Sequence, residues 1–171
     1  GGDNLFVSGD GNDQLTSGGG DDVLIGGIGN DTYRIALNAA NDTVEVDEQP
    51  GGGTDTLDFG VTTGVGAFVR VDLRPAGLDS VAGRIAKHGV DATRLVTTAE
   101  DDLAINFENI TGSGGSDVIF GSAVANSIVG GAGNDELHGG DGNDTLSGGL
   151  GGDTLYGEKH EDRLIGGQGT N

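Results

Sequence analysis

A nine-residue rhythm constrains this chain more than any other feature. From Gly112 the sequence divides without insertion into GSGGSDVIF, GSAVANSIV, GGAGNDELH, GGDGNDTLS, GGLGGDTLY, GEKHEDRLI and a truncated GGQGTN ending at Asn171. The sixth place holds Asp117, Asn126, Asp135, Asp144, Asp153, Asp162 and Asn171, and the eighth holds Ile119, Ile128, Leu137, Leu146, Leu155 and Leu164. Near the amino end the frame returns as GDNLF, SGDGNDQLT, SGGGDDVLI and GGIGNDTYR. This reading puts Asp3, Asp13, Asp22 and Asp31 at the sixth place and Leu5, Leu15, Leu24 and Tyr33 at the eighth, with one extra residue between the first two units. So short and strict a period predicts a repeat architecture whose units bury their apolar face only against their neighbours.

Composition narrows the choice. With 37 glycines, 2 prolines and 4% aromatic residues among 171, a conventional core cannot be filled, and the absence of a three-residue period excludes a collagen-like helix. Twenty-eight acidic against 8 basic residues leave a net charge of -20, which argues against nucleic acid and anionic membrane as partners and for cations. Such a chain repels itself and is expected to stay largely disordered until something neutralises its carboxylates. There is no cysteine, so neither disulfides nor thiolate zinc sites can supply the staple. No apolar run reaches the length of a membrane span, and the chain opens at Gly1 with neither an initiator Met nor a signal peptide, as expected of a piece or processed product of a larger protein.

The pattern G-G-x-G-x-D-x-U-x, with U a large apolar residue, is complete in three successive units over 130–156 and again in 26–34. It resembles the RTX (repeats-in-toxin, hemolysin-type) calcium-binding repeat family. The resemblance covers both ends of the chain and not its middle. It implies calcium as the ligand and export from bacteria through a type I secretion channel.

The residue types have physical reasons. In a three-residue strand x-U-x only the central side chain faces inward, so one apolar residue per strand suffices. The glycines between strands permit positive φ and close backbone approach. Two units then make one coil of eighteen residues in an all-β, right-handed parallel β-roll, or β-solenoid. Same-edge turns lie two units apart: Asp117, Asp135, Asp153 and Asn171 on one edge, Asn126, Asp144 and Asp162 on the other. Stacked like charges would repel, and a dication between successive turns reverses that sign. Calcium takes six to eight oxygen ligands and accepts carbonyls beside carboxylates, whereas magnesium demands strict octahedra and zinc prefers nitrogen or sulfur.

The expected metal ligands are therefore the side chains of Asp3, Asp13, Asp22, Asp31, Asp117, Asn126, Asp135, Asp144, Asp153, Asp162 and Asn171. The turn carbonyls of Gly9, Gly11, Gly18, Gly20, Gly27, Gly29, Gly115, Gly131, Gly133, Gly140, Gly142, Gly149 and Gly151 complete the set. Pairing same-edge turns gives about seven calcium ions, including Asp3 with Asp22 and Asp13 with Asp31. Two turns are expected to be weaker: that of Asn126, which lacks the charge and has Val124 for the fourth glycine, and GEKHEDRLI, where Glu158 and His160 replace turn glycines.

The chain thus divides into amino-terminal repeats (1–34), a middle (35–111) and a carboxy-terminal β-roll (112–171). The middle holds Pro50 and Pro75, and its alternating stretches at 41–46, 53–59, 67–73 and 103–110 predict either an irregular continuation of the coil or a separate β-rich insert. A short helix is expected around Ser80 to Lys87. Asp42, Asp55 and Asp58 are further candidates for calcium, but they lack the full glycine turn and read more readily as solvated strand-end carboxylates, and Glu100, Asp101 and Asp102 as a solvated loop.

Catalysis has little to work with: no H-E-x-x-H, no G-x-S-x-G and three scattered histidines, His88, His138 and His160, expected at the surface. The aspartates occupy equivalent environments, unlike an acid–base pair. The chain is expected to be no enzyme but a calcium-binding structural module of a secreted or cell-surface fibre, adhesin or matrix protein. The rival is the calcium-folded tail of a secreted RTX enzyme or toxin (protease, lipase or epimerase) whose catalytic part lies outside this chain. Calcium is the expected partner, with end-to-end self-association into filaments or contact with further domains left open.

Overall fold

The computed structural model describes residues 2–18, 20–36, 44–47, 53–60, 68–72, 84–88, 93–96 and 107–170. The fold is all-β, and among the described residues there is no helix. In chain order the strands are β1 (Leu5–Asp10), β2 (Gln14–Thr16), β3 (Asp22–Ile28), β4 (Thr32–Arg34), β5 (Val44–Asp47), β6 (Asp55–Asp58), β7 (Phe68–Asp72) and β8 (Arg84–His88). There follow β9 (Thr93–Val96), β10 (Phe107–Thr111), β11 (Val118–Phe120), β12 (Ser127–Ala132), β13 (Glu136–Gly140), β14 (Thr145–Leu150), β15 (Thr154–Glu158) and β16 (Arg163–Gln168). Apart from β7, β8 and β9, which share a sheet, they alternate between two sheets, one ordered β1-β3-β5-β9-β8-β7-β11-β13-β15 and the other β16-β14-β12-β10-β6-β4-β2. This is a parallel β-solenoid, as the repeat predicts.

Register follows the eighteen-residue coil: Ile119 lies beside Leu137, Ile128 beside Leu146 and Leu146 beside Leu164. At the amino end pairing corrects the sequence frame. Phe6, not Leu5, lies beside Leu24, so Asn4 and not Asp3 stands at the sixth place. The repeat then runs Asn4, Asp13, Asp22, Asp31 with no extra residue. A slip of one would turn every side chain to the opposite face, and Leu5, at 66% exposure against 39% for Phe6, bears the difference.

The core is a single file between the sheets. Leu15, Tyr33, Leu57, Ile110, Ile128 and Leu146 line one wall, Leu24, Val46, Ile119 and Leu137 the other, and all are buried. Each aliphatic side chain so placed contributes about 1.5–3 kcal/mol relative to exposure. Phe107 meets Tyr33 edge-to-face at 5.5 Å between ring centroids, thickening the file where the repeat is irregular.

Through the middle of the chain the second sheet is continuous, because Leu57 pairs with Tyr33 on one side and Ile110 on the other. In the first sheet β8 and β9 enter between β5 and β7, with β8 antiparallel to both β7 and β9. The helix expected at Ser80 to Lys87 is corrected where it can be described: 80–83 lie outside the described residues, and Arg84–His88 is a strand. Strands on both sides offer unpaired edges there, and the ladder they complete overrides local helix preference.

Candidate metal centres in the turns

The sixth-place side chains are brought together as two ladders, one on each edge. The Asp117 N–H donates to Asp135 Oδ1 at 2.8 Å, and the Asp135 N–H to Asp153 Oδ1 at 3.0 Å. On the other edge the Asn126 N–H donates to Asp144 Oδ1 at 2.7 Å and the Asp144 N–H to Asp162 Oδ1 at 2.9 Å. In the first run the Asp13 N–H reaches Asp31 Oδ1 at 2.8 Å, and the Asn4 N–H reaches Asp22 Oδ1 at 3.1 Å. Each carboxylate thus caps the strand start one coil earlier. Asp22, Asp31, Asp117, Asp135, Asp144 and Asp153 are buried, Asp13 and Asp162 half-buried, and Asn171 lies outside the described residues.

The second carboxylate oxygen decides what the turn can bind. Oδ2 of Asp31, Asp135 and Asp144 is buried with no hydrogen-bond partner, a costly arrangement for an anion. These oxygens face the space left by a first-place glycine: a Cβ at Gly26, Gly130 or Gly139 would collide with Oδ2 of its own unit. The same spot at Gly130 and Gly139 also adjoins the carbonyls of Gly148 and Gly157, one coil on. The turns of Asp135 and Asp144 are thus cradles lined by a carboxylate oxygen and a carbonyl, whereas at Gly26 Asp31 Oδ2 shares the space with the Tyr33 hydroxyl.

Electrostatics agrees with that geometry. Burial pushes the Asp135 carboxyl up to about 7; the hydrogen bond from the Asp117 N–H opposes this, and the Asp117 and Asp153 charges add to it. Burial likewise raises Asp144, with the Asp162 and Glu158 charges contributing. Among the described residues no three acidic or imidazole side chains converge on a point. A cation here must therefore draw on backbone carbonyls, which suits calcium and not zinc.

The turns fall into two classes that the sequence reading did not separate. In 130–138 the second and fourth places, Gly131 and Gly133, take φ of 118 and 121, where an L side chain would be strained. Turns of this class hold the partnerless Oδ2 atoms of Asp31, Asp135 and Asp144. In the other class the second place binds its own sixth-place side chain. The Ser113 N–H donates to Asp117 Oδ2 at 2.6 Å and its hydroxyl to Oδ1 at 2.8 Å. The Ser122 N–H and hydroxyl donate to Asn126 Oδ1 at 2.8 and 3.2 Å, and the Gly18 N–H to Asp22 Oδ2 at 2.8 Å. The degenerate unit GEKHEDRLI keeps the first class, because Glu158 and His160 adopt φ of 73 and 78, a left-handed conformation that costs about 1–2 kcal/mol per residue.

Asp3, displaced from the sixth place, belongs to a further ladder. Its Oδ1 accepts from the Asp21 N–H at 3.0 Å, as Asn12 Oδ1 does from Asn30 at 2.9 Å and Asn134 Oδ1 from Gly152 at 2.8 Å. These fifth-place bonds run opposite to the sixth-place ones. The recurring N-D pair of the repeat was the signal for them.

Asp55, which the sequence ranks as a solvated carboxylate ahead of a ligand, is instead buried in the ladder. It is only 1% exposed, its Oδ1 accepts from the Asp31 N–H at 2.8 Å, and its own N–H donates to Glu108 Oε2 at 2.8 Å. Burial raises both Asp55 and Glu108, and the charges of Asp31 and Asp55 respectively add to it. Asp58 instead stays at a strand end, 3.4 Å from Arg34 Nε. Asp42, Glu100, Asp101 and Asp102 lie outside the described residues. His138 is stacked between Phe120 and Tyr156 at 4.4 and 4.6 Å, its ring nitrogens 3.0 Å from Glu158 and Glu136. His160 Nδ1 accepts from the Gly142 N–H at 3.2 Å.

Comparison with known proteins agrees with the turn chemistry. Among curated proteins none matches this chain. The model of the RTX calcium-binding nonapeptide repeat matches four times, over residues 1–33, 111–146, 121–155 and 138–171. The matched segments coincide with the regular coils and span more than half of the sequence, so the chain belongs to the RTX calcium-binding repeat family.

Proposed function

We propose that this chain is a structural β-roll module that folds when calcium fills its turns after export from the cell. The observation that carries the reading is the set of buried, partnerless Oδ2 atoms on Asp31, Asp135 and Asp144, each facing a first-place glycine. Without a cation these carboxylates oppose folding, and with one they fasten coil to coil. Extracellular modules bind calcium at about 0.1–1 mM, so the cytosol leaves such sites empty and the outside fills them. The module serves as a fibre, adhesin or matrix component rather than as an enzyme, because its carboxylates stand in equivalent ligand positions instead of an acid–base pair.

The turns of Asp31, Asp135 and Asp144, each with an open Oδ2, are the best-supported binding turns. The turn of Asn126, whose amide is bonded to Ser122, Phe107 and Glu108, contributes no side-chain ligand. Far-UV circular dichroism during a calcium titration, with magnesium as control, tests the reading. β structure is expected to rise cooperatively with calcium and not with equal magnesium. Full β content in excess chelator would overturn it.

A further inference from the structure

The nonapeptide runs are joined in the second sheet at a seam, where β6 pairs with β10 although Asp55 and Glu108 are 53 residues apart in sequence. The pairing is bulged there, because Phe107 lies beside Asp55 and Asn109 already beside Thr56, which leaves Glu108 as the extra residue. The bulge sets Glu108 on the rung that the next aspartate occupies elsewhere. Asn109 pairs with Ser127 one coil on, so Glu108 aligns with Asn126 at the sixth place. The relay of bonds is unbroken: Asp13 N–H to Asp31, Asp31 N–H to Asp55, Asp55 N–H to Glu108, each at 2.8 Å.

The Asp55 turn also copies the repeat in other respects. Gly53 has φ of 154, and a Cβ there would collide with the Gly29 carbonyl oxygen. The Thr54 N–H donates to Asn30 Oδ1 at 2.9 Å, which continues the fifth-place ladder. Asp55 Oδ2 is buried without a hydrogen-bond partner, as in the turns of Asp31, Asp135 and Asp144. The nearby Arg34 is engaged by Asp58.

We propose that Asp55 and Glu108 form a further calcium-type site, outside the matched repeats, which fastens the amino-terminal run to the carboxy-terminal run. The inference rests on the calcium reading of the repeat turns, and it adds a rung with glutamate in the aspartate's place. Glutamate suits this position because its longer side chain starts from a bulge yet still delivers Oε2 to the Asp55 N–H. Two carboxylates are a hard, oxygen-only donor pair, which favours calcium over transition metals.

Native mass spectrometry of the whole chain in calcium counts the bound ions. Glu108→Gln keeps an amide oxygen for the Asp55 N–H while removing the charge, and Asp55→Asn does the same one coil earlier. Glu108→Gln is expected to bind one ion fewer than the parent, and the double variant no fewer than Asp55→Asn alone, because Glu108 serves only the site it shares with Asp55. An unchanged count in folded variants overturns the proposal, and a parent that binds no ion overturns the calcium reading beneath it. Should a variant misfold, anomalous diffraction from parent crystals loaded with terbium decides. A peak between Asp55 and Glu108 is expected, and filled repeat turns with none at the seam refute the site.

Discussion

Replacing Asp135 by asparagine should stabilise the roll without calcium and destabilise it with calcium. The side chain is 1% exposed, and its Oδ1 accepts from the Asp117 N–H at 2.8 Å, a bond that an asparagine oxygen keeps. What changes is Oδ2, which has no partner and whose burial holds the carboxyl at about 7 rather than near 4. At pH 8 that displacement corresponds to at most about 4 kcal/mol against folding, at 1.36 kcal/mol per tenfold change in proton affinity. Residual solvent screening lowers the expected gain for Asp135→Asn to about 1–3 kcal/mol. In calcium the same change removes an anionic ligand, and a tenfold loss of affinity already means about 1.4 kcal/mol. The metal-free roll can be populated with trimethylamine N-oxide. Its osmolyte midpoint, followed by circular dichroism in chelator at pH 8, should fall in the variant, whereas the urea midpoint in saturating calcium should fall as well, reporting lower stability. A variant less stable than the parent in both conditions would refute the claim that the turn stores an uncompensated charge.

Protons and calcium should compete for the same oxygen. Asp135 has a folded-state affinity for protons raised above its unfolded value, so the stability it lends the metal-free roll is present below about pH 4 and is lost as pH rises through about 7. Apparent calcium affinity should accordingly drop as pH falls from 8 to 6, with proton release on calcium addition in weak buffer; pH-independent binding would contradict this. Leu146→Ala, in the buried file, should cost about 2–5 kcal/mol in calcium-loaded urea unfolding, while Leu164→Ala, at 47% exposure, should cost far less. Gly139→Ala fills the cradle beside Asp144 Oδ2 and should remove one ion from the mass-spectrometric count, whereas Gly114→Ala, with nothing within 4 Å of the added methyl, should leave it unchanged.

Where the repeat is intact, the residues dictate the fold almost completely. Leu137, Leu146 and Asp144 stand where the nine-residue spacing puts them, since a single apolar residue per strand and a fixed turn leave no second solution. Failures came where another interaction supplied the decision. The choice between Leu5 and Phe6 rests on which of them lies beside Leu24, a contact one coil away. Asp55 read more readily as solvated because its turn departs from the motif, and the fold sets its strand between β4 and β10, the latter far along the chain. Ser113 and Ser122 occupy glycine positions of the repeat; their hydroxyls are donors, and in the fold they bond the sixth-place side chains of Asp117 and Asn126. The strand at Arg84–His88 exists through its neighbours β7 and β9 and has no strong local signature.

The strands lie across the solenoid axis, so the hydrogen bonds between coils point along it. Tension applied to the two ends of such a body pulls those bonds open one coil at a time instead of shearing many together. Each coil set free would lengthen the chain by about 55 Å, from eighteen residues at about 3.4 Å each less one strand spacing. The module is therefore an extensible element whose resistance is graded coil by coil. A cation lodged between two turns sets the force at which that particular coil gives way.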